Sequence, residues 1–214
     1  MGKNKLKHFA ELLGFANVYQ SNPDYKGSWA STCFNNNLPI VLELACGKGE
    51  YTIGMARLNK HCNYIGIDIK GARIYTGAKQ ALQEPLTNVR FIRMLIDHLP
   101  DYFARDEVDE IWITFADPHT PKRSAKRRLT SQKFIDIYRK ISKPNAIIHL
   151  KTDSDLLYEY TLEVIRECKL TLLYANDNIY TGALFDERLS IKTYYEGKHL
   201  MQGKAIKYIR FQLA

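Results

Sequence analysis

Residues able to do chemistry gather at five points of the chain. Glu43-Leu-Ala-Cys-Gly47-Lys-Gly49-Glu50 joins a carboxylate to a glycine turn, and Asp68 ends an apolar run 19 residues beyond Gly49. Asp117-Pro118-His119 precedes Lys122, Arg123, Lys126, Arg127 and Arg128, five cations within the eight residues from Lys122 to Leu129. Lys151-Thr-Asp153 and Thr193-Tyr-Tyr-Glu196 bring two more acids. Glycines let a ligand lie against the backbone, and a strand-end carboxylate accepts hydrogen bonds from two ribose hydroxyls. Charges of one sign crowded together call for an anionic partner, and nucleic-acid phosphate is the natural one. Asp153, facing Asp117 across that basic rim, can accept from guanine's N1–H and exocyclic amine; alternatively it caps the helix beginning near Asp155.

These residues need a scaffold that brings them to one edge. Apolar runs at Pro39 to Ala45, Asn63 to Asp68, Val89 to Arg93, Glu110 to Ala116 and Ala146 to Lys151 read as strands. Helical stretches at Glu50 to Asn59, Lys70 to Leu82, Thr130 to Ser142 and Asp155 to Glu167 fall between or after them. This is the rhythm of an α/β fold, whose open sheet takes ligands at the carboxyl ends of its strands. Leu170 to Ala175 and Lys204 to Leu213 add two β runs. Trp112 and Phe115 read as core of a buried strand, and one of Tyr194 and Tyr195 is expected to face the pocket, the other the core. Residues 1–37, with Lys3, Lys5, Lys7 and His8 and no sustained periodicity, read as a mobile basic arm, and residues 38–214 as one domain.

The glycine turn discriminates between ligands. A nicotinamide dinucleotide fingerprint needs a third glycine where this chain has Thr52. S-adenosylmethionine suits the turn better, because it has a cationic amino-acid tail that Glu43 can meet, directly or through water, and no pyrophosphate. The plainer alternative is that Gly47 and Gly49 only make a tight turn while Asp68 caps a helix.

Composition narrows the classes further. The 214 residues carry a formal net charge of +8, and 45% are hydrophobic, which excludes a disordered or fibrous chain and leans toward a polyanionic partner. No run approaches the roughly 18 apolar residues that cross a bilayer, and no signal-type apolar segment follows Met1, so a cytoplasmic location and no membrane partner are expected. Cys33, Cys46, Cys62 and Cys168 show neither paired spacing nor a neighbouring histidine pair, so no metal is expected.

The order Glu-x-x-x-Gly-x-Gly, strand-end Asp, Asp-Pro with Lys-Arg-x-x-Lys-Arg-Arg-Leu, Lys-Thr-Asp and Thr-x-Tyr-Glu resembles the bacterial tRNA (guanine-N7-)-methyltransferase family over roughly Leu38 to Phe211. The resemblance implies a Rossmann-like class I methyltransferase fold, a mostly parallel seven-stranded sheet with helices on both faces. It also implies transfer of a methyl group from S-adenosylmethionine to N7 of guanine 46 in the tRNA variable loop. A monomer or homodimer is expected. By the same resemblance Glu43, Gly47, Gly49, Asp68, Asp97 and Asp117 hold the cofactor, Asp117 is catalytic, and Lys122, Asp153, Thr193 and Glu196 bind substrate. Arg123, Lys126, Arg127 and Arg128 contact tRNA. The chain departs from the family in three places. His119-Thr-Pro121 replaces Trp-Pro-Lys, so Lys122 is expected to stand in for the usual lysine. Leu95 occupies the position of an adenine-contacting acid or amide, with Asp97 as the replacement. Ala45 takes the first glycine position, which requires a negative φ there. A catalytically inactive RNA-binding relative of the same fold remains the alternative.

Overall fold

The computed structural model describes residues 2–20 and 24–213. Its centre is one sheet of β1 (Val18–Tyr19), β2 (Ile40–Leu44), β3 (Asn63–Asp68), β4 (Val89–Arg93), β5 (Val108–Thr114), β6 (Ser142–Thr152), β7 (Thr171–Asn176) and β8 (Lys207–Gln212), in the order β1-β4-β3-β2-β5-β6-β8-β7. Strands β1 to β6 pair in parallel, while β8 runs antiparallel to both β6 and β7. Every residue of β2 and β3 is buried, which is why both read as unbroken apolar runs rather than as alternating ones. The strand order reverses at β2: β3 lies on one side of it and β5 on the other. The crevice at such a reversal is where open α/β sheets bind ligands.

Helices cover both faces. Val41, Tyr64 and Trp112 point to the side packed by α2 (Glu50–Leu58) and α3 (Gly71–Gln83). Leu42, Ile65, Ile111 and Ile113 point to the side of α4 (Leu99–Tyr102), α5 (Gln132–Arg139) and α6 (Asp155–Glu167). The last helix, α7 (Tyr194–Met201), lies in the stretch between β7 and β8, where the sequence pattern assigns no element.

Eight strands stand where seven were expected, and the extra one lies in the segment read as a mobile arm. Met1 and residues 21–23 of that segment lie outside the described residues; the rest is docked. Helix α1 (Gly2–Leu12) packs on α3, and β1 extends the sheet beside β4. Trp29 is fully buried against Phe103, Tyr19 and Tyr25, with its indole N–H donating to the Tyr102 carbonyl at 2.9 Å. The Glu107 carboxylate accepts from the backbone N–H groups of Gly27 and Trp29 at 2.8 and 3.0 Å. One buried tryptophan and one carboxylate that satisfies backbone donors fix a segment that has no periodicity to advertise it.

Candidate active site

The turn after β2 is built by buried hydrogen bonds. Glu43 is 1% exposed, and its carboxylate accepts from the Thr52 N–H at 2.7 Å, from the Thr52 hydroxyl and from the Thr114 hydroxyl at 2.6 Å. It therefore faces inward, tying β2 to α2 and β5. Thr52 explains its own place in the turn: a glycine there would leave this carboxylate short of a donor. Burial pushes the Glu43 carboxyl up to about 7, against the partial relief of the threonine hydrogen bonds.

The sign of the resulting pH effect follows directly. A carboxyl raised on folding contributes full stability below its unfolded value of 4.5, and that contribution is lost as pH rises through about 7. Glu43→Gln, which mimics the protonated form, should gain on the parent across this window, reaching about 3 kcal/mol at roughly 1.4 kcal/mol per unit. Urea unfolding at about pH 5 and about pH 8 measures the difference, and a gap that does not change with pH contradicts it.

Ala45 has φ 59°, which overturns the expectation of a negative angle. The left-handed conformation costs a residue with a Cβ about 1–2 kcal/mol. It is held by the Cys46 N–H donating to Ile67 O and the Gly47 N–H donating to Asp68 Oδ2, each at 3.0 Å. Gly49, at φ 72°, admits no other residue, because a Cβ would stand 2.6 Å from the Phe91 ring. At Gly47 (φ 57°) a Cβ would meet nothing within 4 Å, so open space lies over this part of the turn. Asp68 accepts from the Gly47 N–H through one oxygen and the Lys70 N–H, at 2.7 Å, through the other. Since a carboxylate has about four acceptor positions, it keeps capacity for two more donors.

Asp68 belongs to a cavity of about 360 Å³ whose walls include Ala45, Ile69, Met94, Leu95, His119 and Phe134. Asp97 stands at this cavity in an ion pair with Lys133. Leu95, in the position of the missing family acid, lines it too. Arg127, expected on the RNA side, also reaches this wall.

A second, wider cavity of about 920 Å³ opens on the other side of the loop after β5 and is lined by Phe115, Asp117, Pro118, Asp153, Tyr195 and His199, among others. Phe115 is half-buried, packed against the core on one side and lining this cavity on the other, whereas Trp112 is fully buried as expected. The Asp117 side chain is 74% exposed, and its Oδ1 accepts from the His119 N–H at 2.8 Å. Phe115 and His119, at φ 50° and 43°, hold left-handed conformations on either side of it. Asp153 lies 2.7 Å from Lys204 and 3.3 Å from His199, both through Oδ2. The neighbouring α6 is capped by Ser154, so Asp153 is not its cap.

Lys122, Arg123, Lys126 and Arg127 are exposed on a short 3-10 turn, Lys122–Arg127, and Lys122 lines neither cavity. Arg128 is different. It is 5% exposed, its guanidinium donates to the carbonyls of Pro118 and His119 at 2.9 and 3.2 Å, and it stacks on Tyr160. The expected RNA contact is turned inward.

Thr193 and Glu196 are likewise used within the protein. They form a capping box at the start of α7, in which the Thr193 hydroxyl accepts from the Glu196 N–H and the Glu196 carboxylate accepts from the Thr193 N–H. Glu196 is fully buried and pairs with Lys151, which is also fully buried, at 2.8 and 2.9 Å through its two oxygens. The Tyr180 hydroxyl donates to the same carboxylate at 2.7 Å. Of Tyr194 and Tyr195, the second lines the wider cavity as expected, while Tyr194 is about half exposed rather than packed in the core. Sequence reasoning gave no structural role to Thr52, Thr114, Lys151 or His199. Of these only Lys151 carried a signal, since strand alternation places it with His149 on one face of β6.

Comparison with known proteins fits this geometry. A family model described as "Putative methyltransferase" matches residues 37–209. The tRNA (guanine-N(7)-)-methyltransferase of Bacteroides thetaiotaomicron is 46% identical over 100% of this chain and 87% of its own length. That of Christiangramia forsetii is also 46% identical, over 99% and 98% of the two chains. Among solved structures, the 16S rRNA methyltransferase KamB superposes with a TM-score of 0.67 over 91% of this chain and 95% of its own, at 13% identity, a likeness of fold alone. With the family model spanning most of the chain and relatives nearly half identical along all of it, the protein belongs to the tRNA (guanine-N(7)-)-methyltransferase family.

Proposed function

We propose that the protein methylates N7 of a guanine in tRNA, at position 46 of the variable loop, with S-adenosylmethionine as donor. The observation that carries this reading is that the Asp117 loop divides two cavities, with His119 on the wall of the smaller and residues 115–118 on that of the larger. The smaller cavity suits an adenosine. Its apolar walls at Ile69, Met94, Leu95 and Phe134 can sandwich a purine, and Asp68 has acceptor capacity left for the ribose hydroxyls. Asp97 stands at the rim for the exocyclic amine, and the open space over Gly47 leaves room for an amino-acid tail.

When bound, S-adenosylmethionine supplies an electrophilic methyl carbon. Guanine N7 has an in-plane lone pair and no proton, so the protein needs no general base and contributes mainly by positioning. Asp153 Oδ1, which has no partner on Lys204 or His199, accepts from the guanine Watson–Crick edge. Asp117 orients the base from the other side, and its negative charge offsets the positive charge the purine gains.

Arg123 and Lys126 hold the RNA backbone. Replacing both with alanine should weaken tRNA binding and flatten the slope of log K against log salt by about 1.5, with affinity for S-adenosylhomocysteine unchanged. A slope equal to that of the parent moves the RNA path elsewhere. For the reading as a whole, calorimetry should show tight binding of S-adenosylhomocysteine that Asp68→Ala abolishes, and no binding of NAD. The reverse preference rules the reading out.

A further inference from the structure

Arg128 is a buried cation that forms no ion pair with a carboxylate among the described residues. Its partners are two backbone carbonyls, those of Pro118 and His119, and the face of the Tyr160 ring at 4.3 Å. These carbonyls belong to the two residues that directly follow Asp117. The same loop holds Phe115 and His119 at positive φ, and such conformations persist only where surrounding contacts over-determine them. The Ser124 hydroxyl, 3.4 Å from the His119 carbonyl, is the only other side-chain hydrogen bond to these two carbonyls among the described residues. A guanidinium suits the task, because its rigid planar fork aims two N–H groups at two fixed acceptors while its face stacks on an aromatic ring; a lysine ammonium is a point charge on a flexible stem, with neither the fixed fork nor the flat face.

We propose that Arg128 is a positioning residue for the methyl transfer: its guanidinium, clamped between Tyr160 and the Pro118 and His119 carbonyls, fixes the loop that presents Asp117, and it makes no contact with RNA. The proposal rests on the reading of Asp117 given above. It also divides the five-cation run by role, with its exposed members facing nucleic acid and its last arginine acting on the protein's own backbone. Tyr160 acts with Arg128 as the floor of the clamp.

A double-mutant cycle with a salt titration tests this. Arg128→Met should lower kcat about 100-fold, the scale expected when a reacting group is misplaced by about an ångström, and leave the salt slope of tRNA binding at the parent value. Arg128→Lys, which keeps the charge, should recover only a small part of kcat, whereas a phosphate contact would be largely preserved by lysine. Because Arg128 acts through Asp117, Arg128→Met combined with Asp117→Ala should be no slower than Asp117→Ala alone. Should Arg128→Met fail to fold, Tyr160→Leu removes the other half of the clamp and must give the same split between kcat and salt slope. A slope reduced by about 0.7–0.9 with kcat retained would show an RNA contact and overturn the proposal, as would losses that multiply in the double variant. If Asp117→Ala itself keeps the parental kcat, the reading of Asp117 fails and the positioning role falls with it. If Asp117→Ala is slow while Arg128→Met is not, only the role of Arg128 is refuted.

Discussion

Asp117→Ala should lower kcat about 100-fold or more, the usual scale for removing one preorganised electrostatic group, while changing S-adenosylhomocysteine affinity only slightly. Asp117 is exposed in the wider cavity and meets the narrower one through His119, whose N–H donates to it and whose ring lies 3.8 Å away, so its loss should be felt in turnover and not in cofactor binding. Two contributions can be separated. Asp117→Asn keeps an oxygen for the His119 N–H but removes the charge. If charge stabilisation dominates, Asn should be nearly as slow as Ala; if the side chain serves only to hold the loop, Asn should recover most of the rate. Single-turnover kinetics at saturating tRNA report the chemical step directly, and a rate equal to the parent's in both variants removes Asp117 from the mechanism.

The largest effect on stability is expected at Lys151. Its ammonium has three donors and lies within 2.9 Å of the carbonyls of Leu189 and Ile191 and of the Glu196 carboxylate, so each hydrogen finds a partner. Burial pulls the Lys151 ammonium below its ordinary value, and Glu196 opposes that shift. Lys151→Met would leave Glu196 charged and buried, with only the Tyr180 hydroxyl and the Thr193 and Glu196 capping contacts around it. Breaking one side of a buried pair costs about 3–5 kcal/mol. At roughly 2–4 °C per kcal/mol in a chain of this size, the melting temperature should fall by about 10 °C. Lys151→Met with Glu196→Gln should recover a large share, because no uncompensated charge then remains. Differential scanning calorimetry of the two variants decides it, and a single variant as stable as the parent would mean that the pair carries no stabilising role.

Parts of this site were legible in the sequence because a local rule marks them. The glycine turn after β2, the strand-end Asp68 and the Asp117 loop all follow apolar runs, and the sheet brings strand ends to one edge whatever the details of packing. The direction in which a charged side chain points has no such marker. Arg128 is the last of five similar cations, and only its neighbours in space, Pro118, His119 and Tyr160, turn it inward. Glu196 sits in a polar stretch without strand or helix rhythm, yet it is fully buried because Lys151 comes from β6 to meet it. Glu43 was recognised as an acid beside the turn, but its satisfaction by Thr52 and Thr114 depends on two separate elements. The segment before β2 was misread as mobile for a related reason: one buried tryptophan and the distant Glu107 carboxylate anchor it, and neither makes a period.

The central claim is the reaction at guanine N7, and the product nucleoside tests it most directly. The protein is incubated with methyl-labelled S-adenosylmethionine and unmodified tRNA, the RNA is digested to nucleosides, and the labelled position is mapped. The account predicts label in 7-methylguanosine alone, at position 46, and none in a tRNA whose guanine there is replaced by adenine. Label in any other nucleoside, or none at all from protein that binds both S-adenosylhomocysteine and tRNA, would contradict it.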